Sequence, residues 1–307
     1  MENNLVSVII LSYKNLQYLK ETIDSVLSQT YSDIEIILGD DGTEQFDTKF
    51  YEQYINTNCK NNVKKVIAYK NPVNLGIVKN ANKAIKMSRG EYIKFIASDD
   101  TFYSDDVLLK MINYLNENDA YVLTSNILLC DSNMKKLDEA DFKIKDYQNL
   151  LPIGQNPHEF FKLLCVRDMI AAPSVMFNKD LFDKYGYFNE KYKLVEDWPM
   201  WLKISRSGCK IHYLDIISVK YRSEVGVSSA RTPNPIFIKD IIRCYEDEIL
   251  PHKSELGYWL HKKIKWKYIR TYRLSQYNVI KKLIVRLINI DVILANRIKR
   301  LMIHEKN

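Results

Sequence analysis

Through the first 130 residues or so, short continuous apolar runs alternate with stretches whose apolar positions recur every three or four residues. Runs bounded by polar clusters read as buried strands, and the periodic stretches read as helices covering them. Strands are predicted at Leu5–Leu11, Ile34–Gly39, Val63–Tyr69, Glu91–Ala97 and Ala120–Leu129. A helix is expected after Asn15, its N-cap, with Leu16, Leu19, Ile23, Val26 and Leu27 on one face. Further helices are expected at Ile77–Ser88 and Asp105–Leu115. Strand, helix and strand in this order imply right-handed crossovers and a largely parallel sheet, an α/β fold.

The pattern is weaker beyond. From Cys130 to Lys162 little periodicity remains, and a loop-rich connection is expected. Met169–Phe177 returns to strand character, and Asp180–Tyr185 reads as a short helix ending at Gly186. Asp197 suits an N-cap, with Pro199 tolerated in the first helical turn. After Pro235 the chain reads as helical, and Ile280, Leu283, Ile284, Leu287 and Ile288 trace an amphipathic stripe.

Composition changes this picture in one respect. Hydrophobic residues make up 46% and charged residues 27%, as in ordinary globular proteins. From His261 to Asn307, however, 13 Lys/Arg face 2 Asp/Glu, a net of +11; with +7 overall, the first 260 residues stand at −4. A mildly acidic body with a basic tail suggests that the tail meets something anionic, or presents a charged helical surface to water. Nucleic acid is a poor partner for such a body, and no recognition motif is present. The five cysteines form no C-x-x-C pair, which argues against zinc knuckles and disulfide frameworks and for a reducing compartment. The start, Met1-Glu2-Asn3-Asn4, lacks the basic opening of a secretory signal, and no spanning run of roughly 18 apolar residues occurs. A cytoplasmic protein is expected.

The acids carry the chemistry. Asp40/Asp41 and Asp99/Asp100 each follow the carboxyl end of a predicted strand, the edge at which open α/β sheets bind ligands. One such pair is an ordinary turn; two at equivalent positions suggest a shared crevice. Adjacent carboxylates without a histidine or cysteine cluster suit Mg²⁺ or Mn²⁺ held together with substrate phosphates. There is no G-x-x-x-x-G-K-[ST], G-x-G-x-x-G, G-x-S-x-G or H-E-x-x-H, which argues against P-loop, Rossmann redox, hydrolase-elbow and zincin chemistry.

Val6-Ser7-Val8-Ile9-Ile10-Leu11-Ser12-Tyr13-Lys14-Asn15 resembles the opening strand of family 2 glycosyltransferases of the GT-A fold. Asp40-Asp41-Gly42-Thr43, Asn74-Leu75-Gly76 leading to Asn82, Gly90-Glu91-Tyr92 through Asp99-Asp100, and Glu196-Asp197-Trp198 follow in that family's order. The resemblance implies a Rossmann-like, mostly parallel mixed sheet flanked by helices. It implies a catalytic domain over 1–232, with a donor half at 1–130 and an acceptor half at 131–232, followed by a basic helical region at 233–307. By the same resemblance, Tyr13 and Asp41 face the nucleotide base and Asp99 the ribose, Ser12 is a donor-binding residue, and Asp100 binds the metal. Lys79 and Asn82 are donor-side residues, and Asp197 is the general base of inverting members. Acceptor contacts are expected at Trp198 and Ser174, with Trp201 equally suited to the core.

The chain departs from the family at three places. Ala97 replaces the usual first acid of the metal motif, Asn80-Ala81-Asn82 lacks the common arginine, and Glu224 stands where many members carry a metal-reaching histidine. Glu224 is thus a candidate ligand. The implied activity is inverting transfer from a UDP-sugar to a hydroxyl of a glycan or lipid-linked acceptor in surface polysaccharide or glycoconjugate synthesis. The alternatives are a polyprenyl-phosphate sugar synthase and an inactive sugar-nucleotide-binding scaffold. For residues 261–307, either peripheral contact with the inner face of the cell membrane or homodimer formation is expected.

Overall fold

The computed structural model describes residues 2–137, 156–223 and 234–296. Its centre is one eight-stranded sheet. The strands are β1 (Glu2–Ser12), β2 (Ile34–Asp40), β3 (Val63–Lys70), β4 (Gly90–Ala97), β5 (Thr101–Phe102), β6 (Val122–Cys130), β7 (Met176–Asn178) and β8 (His212–Arg222), in the order β3-β2-β1-β4-β7-β6-β8-β5. β3, β2, β1 and β4 are parallel, as expected from their helical crossovers. Short β7 then runs antiparallel to both β4 and β6, β8 is parallel to β6, and β5 is antiparallel to β8. The sheet is therefore mixed, with a parallel half and a half that turns about β7.

Helices α1 (Leu16–Leu27), α2 (Thr48–Asn58), α3 (Ile77–Met87) and α4 (Val107–Glu117) flank the parallel half. Alternation along β1 sends its side chains to two separate cores. Val6, Val8 and Ile10 pack with Leu19 and Ile23 of α1 and with Leu108 and Met111 of α4. Ile9 joins Val78, Ala81 and Ile85 of α3 in the other. Both faces of β1 and β2 are buried, which is why these strands read as continuous apolar runs. Each fully buried Ile or Val contributes about 1.5–3 kcal/mol.

The second half departs further from expectation. Within the segment read as a loop, α5 (Pro157–Val166) forms, capped by Asn156, whose side chain accepts from His158 and Glu159 N–H. α2 was likewise not anticipated. The strand expected over Met169–Phe177 shrinks to β7, preceded by a single 3-10 turn at Ala172–Ser174. α6 (Asp180–Tyr185) ends at Gly186 as read, and α7 opens at Asp197 and runs to Arg206. The tail comprises α8 (Pro235–Cys244), α9 (Lys253–Leu256), α10 (Tyr258–Tyr268) and α11 (Val279–Ile288). Much of it belongs to the body, since Cys244, Tyr245, Ile249, Ile264 and Tyr268 share a core with Phe177, Trp198 and Trp201.

Candidate active site

β1, β2 and β4 end in step. Ser12 pairs with Asp40, and Leu11 pairs with both Gly39 and Ala97, so the chain leaves all three strands at one level. Two cross-links hold these exits together: Asp41 N–H donates to the Ser12 carbonyl (2.8 Å) and Ser98 N–H to the Leu11 carbonyl (3.0 Å). A cleft of about 760 Å³ opens over this edge. Ser12, Tyr13, Asp41, Asn80 and Asp99 line it, together with Asp168, Glu196, Asp197 and Trp201. Phe237 and Ile241 of α8 add an apolar wall, so the tail takes part in the cleft.

Asp41 is held by the loop it organises. Its Oδ1 accepts from Asn71 Nδ2 (3.0 Å) and Leu75 N–H (2.9 Å), and its Oδ2 from Gly76 N–H (2.8 Å). Gly76 sits at φ 90° as it opens α3, a conformation that glycine adopts without penalty. Tyr13 is 40% exposed and offers its ring face to the cleft. The Ser12 hydroxyl is buried there without a partner.

The turn after β4 is organised by a buried arginine. Arg222 donates from Nε to the Asp99 carbonyl (2.8 Å), from Nη2 to Glu21 (2.7 Å) and from its backbone N–H to Asp100 Oδ1 (2.9 Å). Its guanidinium also lies 4.0 Å from the Tyr18 ring centroid. Asn15 does not cap α1; its side chain instead donates to Asp99 (3.3 Å). Burial raises the pKa of Asp99, and burial together with the neighbouring Asp99 charge raises that of Asp100 well above the usual carboxylate range. Lys94, fully buried on β4, ties this strand to the carbonyls of Pro173 and Val175, and burial lowers its pKa to about 7.

Three more acids line the cleft. Asp197 accepts from Trp198 N–H (2.8 Å) at the start of α7, beside Glu196 and Asp168. All three are raised. The cause for Asp197 is its desolvated setting; for Glu196 and Asp168 it is desolvation followed by the Asp197 charge.

Several expected residues stand elsewhere. Asp100 does not line the cleft; it is 1% exposed, behind Asp99. Lys79 is exposed outside it, and Asn82 clamps the backbone of Phe188 through both side-chain atoms (2.9 and 3.1 Å). Asn80 takes the cleft position on α3, because two residues along a helix turn the side chain by about 200°. Ser174 is fully buried and bonded to Thr124 and Ala171. Trp198 is a core residue donating to the Leu164 carbonyl (2.9 Å), and Trp201 reaches the cleft instead. Glu224 lies outside the described residues. Asp168 and Arg222 were not anticipated as site residues; Asp168 follows an aperiodic stretch, and only its acidity marks it.

A hard divalent cation fits the turn after β4. Asp99 faces the cleft, and Asp100 Oδ2 is a buried acceptor with no partner. Two adjacent carboxylates suit an ion that completes its shell with water and phosphate oxygens. Among the described residues, no group of three or more His, Cys, Asp or Glu gathers as a self-sufficient metal site. A cation here would depend on its substrate.

Comparison with known proteins agrees with this layout. The chain is 28% identical over 232 residues to an uncharacterized glycosyltransferase of Rickettsia felis, covering 75% of this chain and 36% of that relative. It thus spans little more than a third of that protein's length. An uncharacterized glycosyltransferase of Methanocaldococcus jannaschii is 28% identical over 228 residues, 72% of each chain. Among solved structures, S. aureus TarS residues 1–349 in complex with UDP-GlcNAc superposes with a TM-score of 0.62 at 19% identity, covering 91% of this chain and 77% of that one. The mannosyltransferase PcManGT of Pyrobaculum calidifontis, in complex with GDP-Man and Mn²⁺, gives 0.55 at 12% identity, covering 92% and 86%. The fold is the GT-A fold anticipated from the sequence. The family model described as glycosyl transferase family 2 matches residues 7–186, more than half of the chain, and the chain belongs to that family of glycosyltransferases.

Proposed function

We propose that this glycosyltransferase inverts the anomeric centre as it carries a sugar from a UDP-sugar to a hydroxyl of a glycan or lipid-linked acceptor, in surface polysaccharide or glycoconjugate synthesis. One observation carries the reading: Tyr13, Asp41 and Asp99 line a single cleft together with Asp197. The nucleotide sugars named with TarS and PcManGT support a donor of this class.

On the donor side, Tyr13 offers a ring face for stacking on the base. Asp41 Oδ2 accepts one N–H and keeps capacity for the imide N–H of uracil. The Ser12 hydroxyl is available to a donor oxygen. Asp99, backed by the unpartnered oxygen of Asp100, would hold Mg²⁺ or Mn²⁺, which when bound offsets the charge growing on the departing diphosphate. On the acceptor side, Asp197 takes the proton of the attacking hydroxyl. The new C–O bond forms on the face opposite the bond to the nucleotide, which breaks. A raised pKa makes Asp197 a stronger base once ionised. Glu196 beside it is likewise raised, by desolvation and then by the Asp197 charge.

The test is transfer from a panel of UDP-sugars to glycan acceptors, with and without Mn²⁺, with product configuration read by NMR. Inverted product, and a drop of about 10²–10⁴-fold in Asp197→Asn with donor binding kept, is the expected result. A retained configuration, or an Asp197→Asn enzyme near wild-type turnover, overturns the mechanism.

A further inference from the structure

The tail has a buried part and a bare part. Ile264, Trp266 and Tyr268 of α10 are buried, whereas α11 buries none of its residues. Ile280 is 71% exposed, Leu283 60% and Leu287 57%, with Ile284 and Ile288 beside them and Ile290 and Leu294 continuing the row. At about 100° per residue the five apolar positions of α11 form one arc. Lys281 borders the arc on one side and Arg286 on the other, while Lys282 lies on the half-buried side with Asn289. Asn289 and Val292, both buried, face the body from the opposite side. Among the described residues, nothing covers the apolar arc. A contiguous apolar surface of this kind marks an interaction site.

Charge and aromatics decide between occupants. α11 contains no acidic residue, and Lys281 and Arg286 flank the stripe. The nearby acid Asp291 is taken by Lys262 (2.6 Å). A second copy docked stripe to stripe would bring like charges together with no acid to answer them, whereas an anionic bilayer answers both. Lys262 also lies 5.6 and 5.7 Å from the ring centroids of Tyr258 and Trp259, which places these exposed rings beside the α11 end of the tail. Exposed Trp and Tyr are the side chains that favour the membrane–water boundary. No described helix is long and apolar enough to cross a membrane. The geometry is that of a helix lying in the surface plane.

We propose that the α11 stripe, bordered by Lys281 and Arg286 and joined by Tyr258 and Trp259, seats the protein on an anionic lipid bilayer. The proposal goes beyond glycosyl transfer and stands without it. Vesicle flotation of the full chain tests it, using phosphatidylcholine alone and phosphatidylcholine mixed with phosphatidylglycerol. The wild type floats with the mixed vesicles and far less with the neutral ones, and high salt releases it. Replacing Lys281 and Arg286 together by Gln lowers partitioning to the mixed vesicles roughly thirtyfold. A Leu283→Glu/Leu287→Glu variant, altered only at exposed positions and checked for an unchanged melting midpoint, loses binding to both. A wild-type chain that stays unfloated with mixed vesicles overturns the proposal, as does a Leu283→Glu/Leu287→Glu variant that floats as well as wild type. Concentration-dependent dimers that this variant dissociates, without vesicle binding, would assign the face to a second copy and equally overturn it.

Discussion

The two ends of the parallel strands treat their acids in opposite ways. At the amino end, Glu35 is fully buried yet satisfied: Ser7 Oγ (2.7 Å) and Arg89 N–H (2.9 Å) donate to one oxygen, and Arg89 Nε (3.2 Å) to the other. Ser7 in turn accepts from Gly90 N–H (3.0 Å), so this acid knits β1, β2 and β4 together. At the carboxyl end, Asp40 and Asp100 each leave a buried oxygen unpartnered, and so does Ser12. Asp168, Glu196 and Asp197 crowd nearby without a cation among the causes that shift them. A buried acid whose partners are all in place is part of the scaffold. Acids left short of partners around a cleft are set for a ligand.

The largest expected effect contrasts these two classes directly. Asp197→Asn should lower turnover about 10²–10⁴-fold with little change in melting temperature. Glu35→Gln should do the reverse, costing about 1–3 kcal/mol of stability in denaturant titration while turnover per folded molecule stays near wild type. If Glu35→Gln abolished turnover without loss of stability, the division between the two edges would fail. Next in size, Tyr13→Ala should weaken donor binding by about 1–3 kcal/mol in calorimetry, as expected for loss of a stacked base. An unchanged affinity would remove Tyr13 from the donor site.

The smallest effects concern pH. Because the pKa of Asp197 is raised, the acid limb of the turnover profile should lie above the ordinary carboxylate range. Asp168→Asn should leave that limb near its wild-type place, because desolvation and not the Asp168 charge raises Asp197. Stability carries the same signature. Between the ordinary and the raised values, the folded state holds protons that the unfolded chain has released, so stability declines as pH rises through that window. Asp168→Asn should flatten this decline in melting temperature measured against pH, and an unchanged slope would show that the acids do not interact.

Much of the donor half was legible in the chain. β1, β2 and β4 are largely buried on both faces, so burial leaves mostly apolar runs with Glu35 and Lys94 as buried exceptions, and the acids at their ends announce the sheet edge. Legibility failed where the choice of face mattered. Asn80 and Asn82 lie on one helix two residues apart, and the motif pattern pointed to the wrong one. Either Trp198 or Trp201 suits an aromatic wall; both proved to be core residues, Trp198 against Leu164 and Tyr245, and of the two Trp201 also lines the cleft. Ser174 looked like an acceptor contact and proved to be a buried hydrogen-bonded brace. Asp168, Arg222 and the α8 wall come from segments with no period relating them to the donor strands.

By itself, the order of residues determined the parallel crossovers, the sheet edge carrying Asp41 and Asp99, and the cationic, amphipathic character of the tail. These follow from local periodicity and charge, which neighbouring positions encode without reference to distant ones. Tertiary structure alone decided that Asp168, Glu196 and Asp197 share one cleft with Asp99, that Arg222 braces the turn that carries it, and that no described residue covers the α11 stripe. Each of those depends on contacts between residues far apart in the chain, and their energies exist only once the whole core has closed.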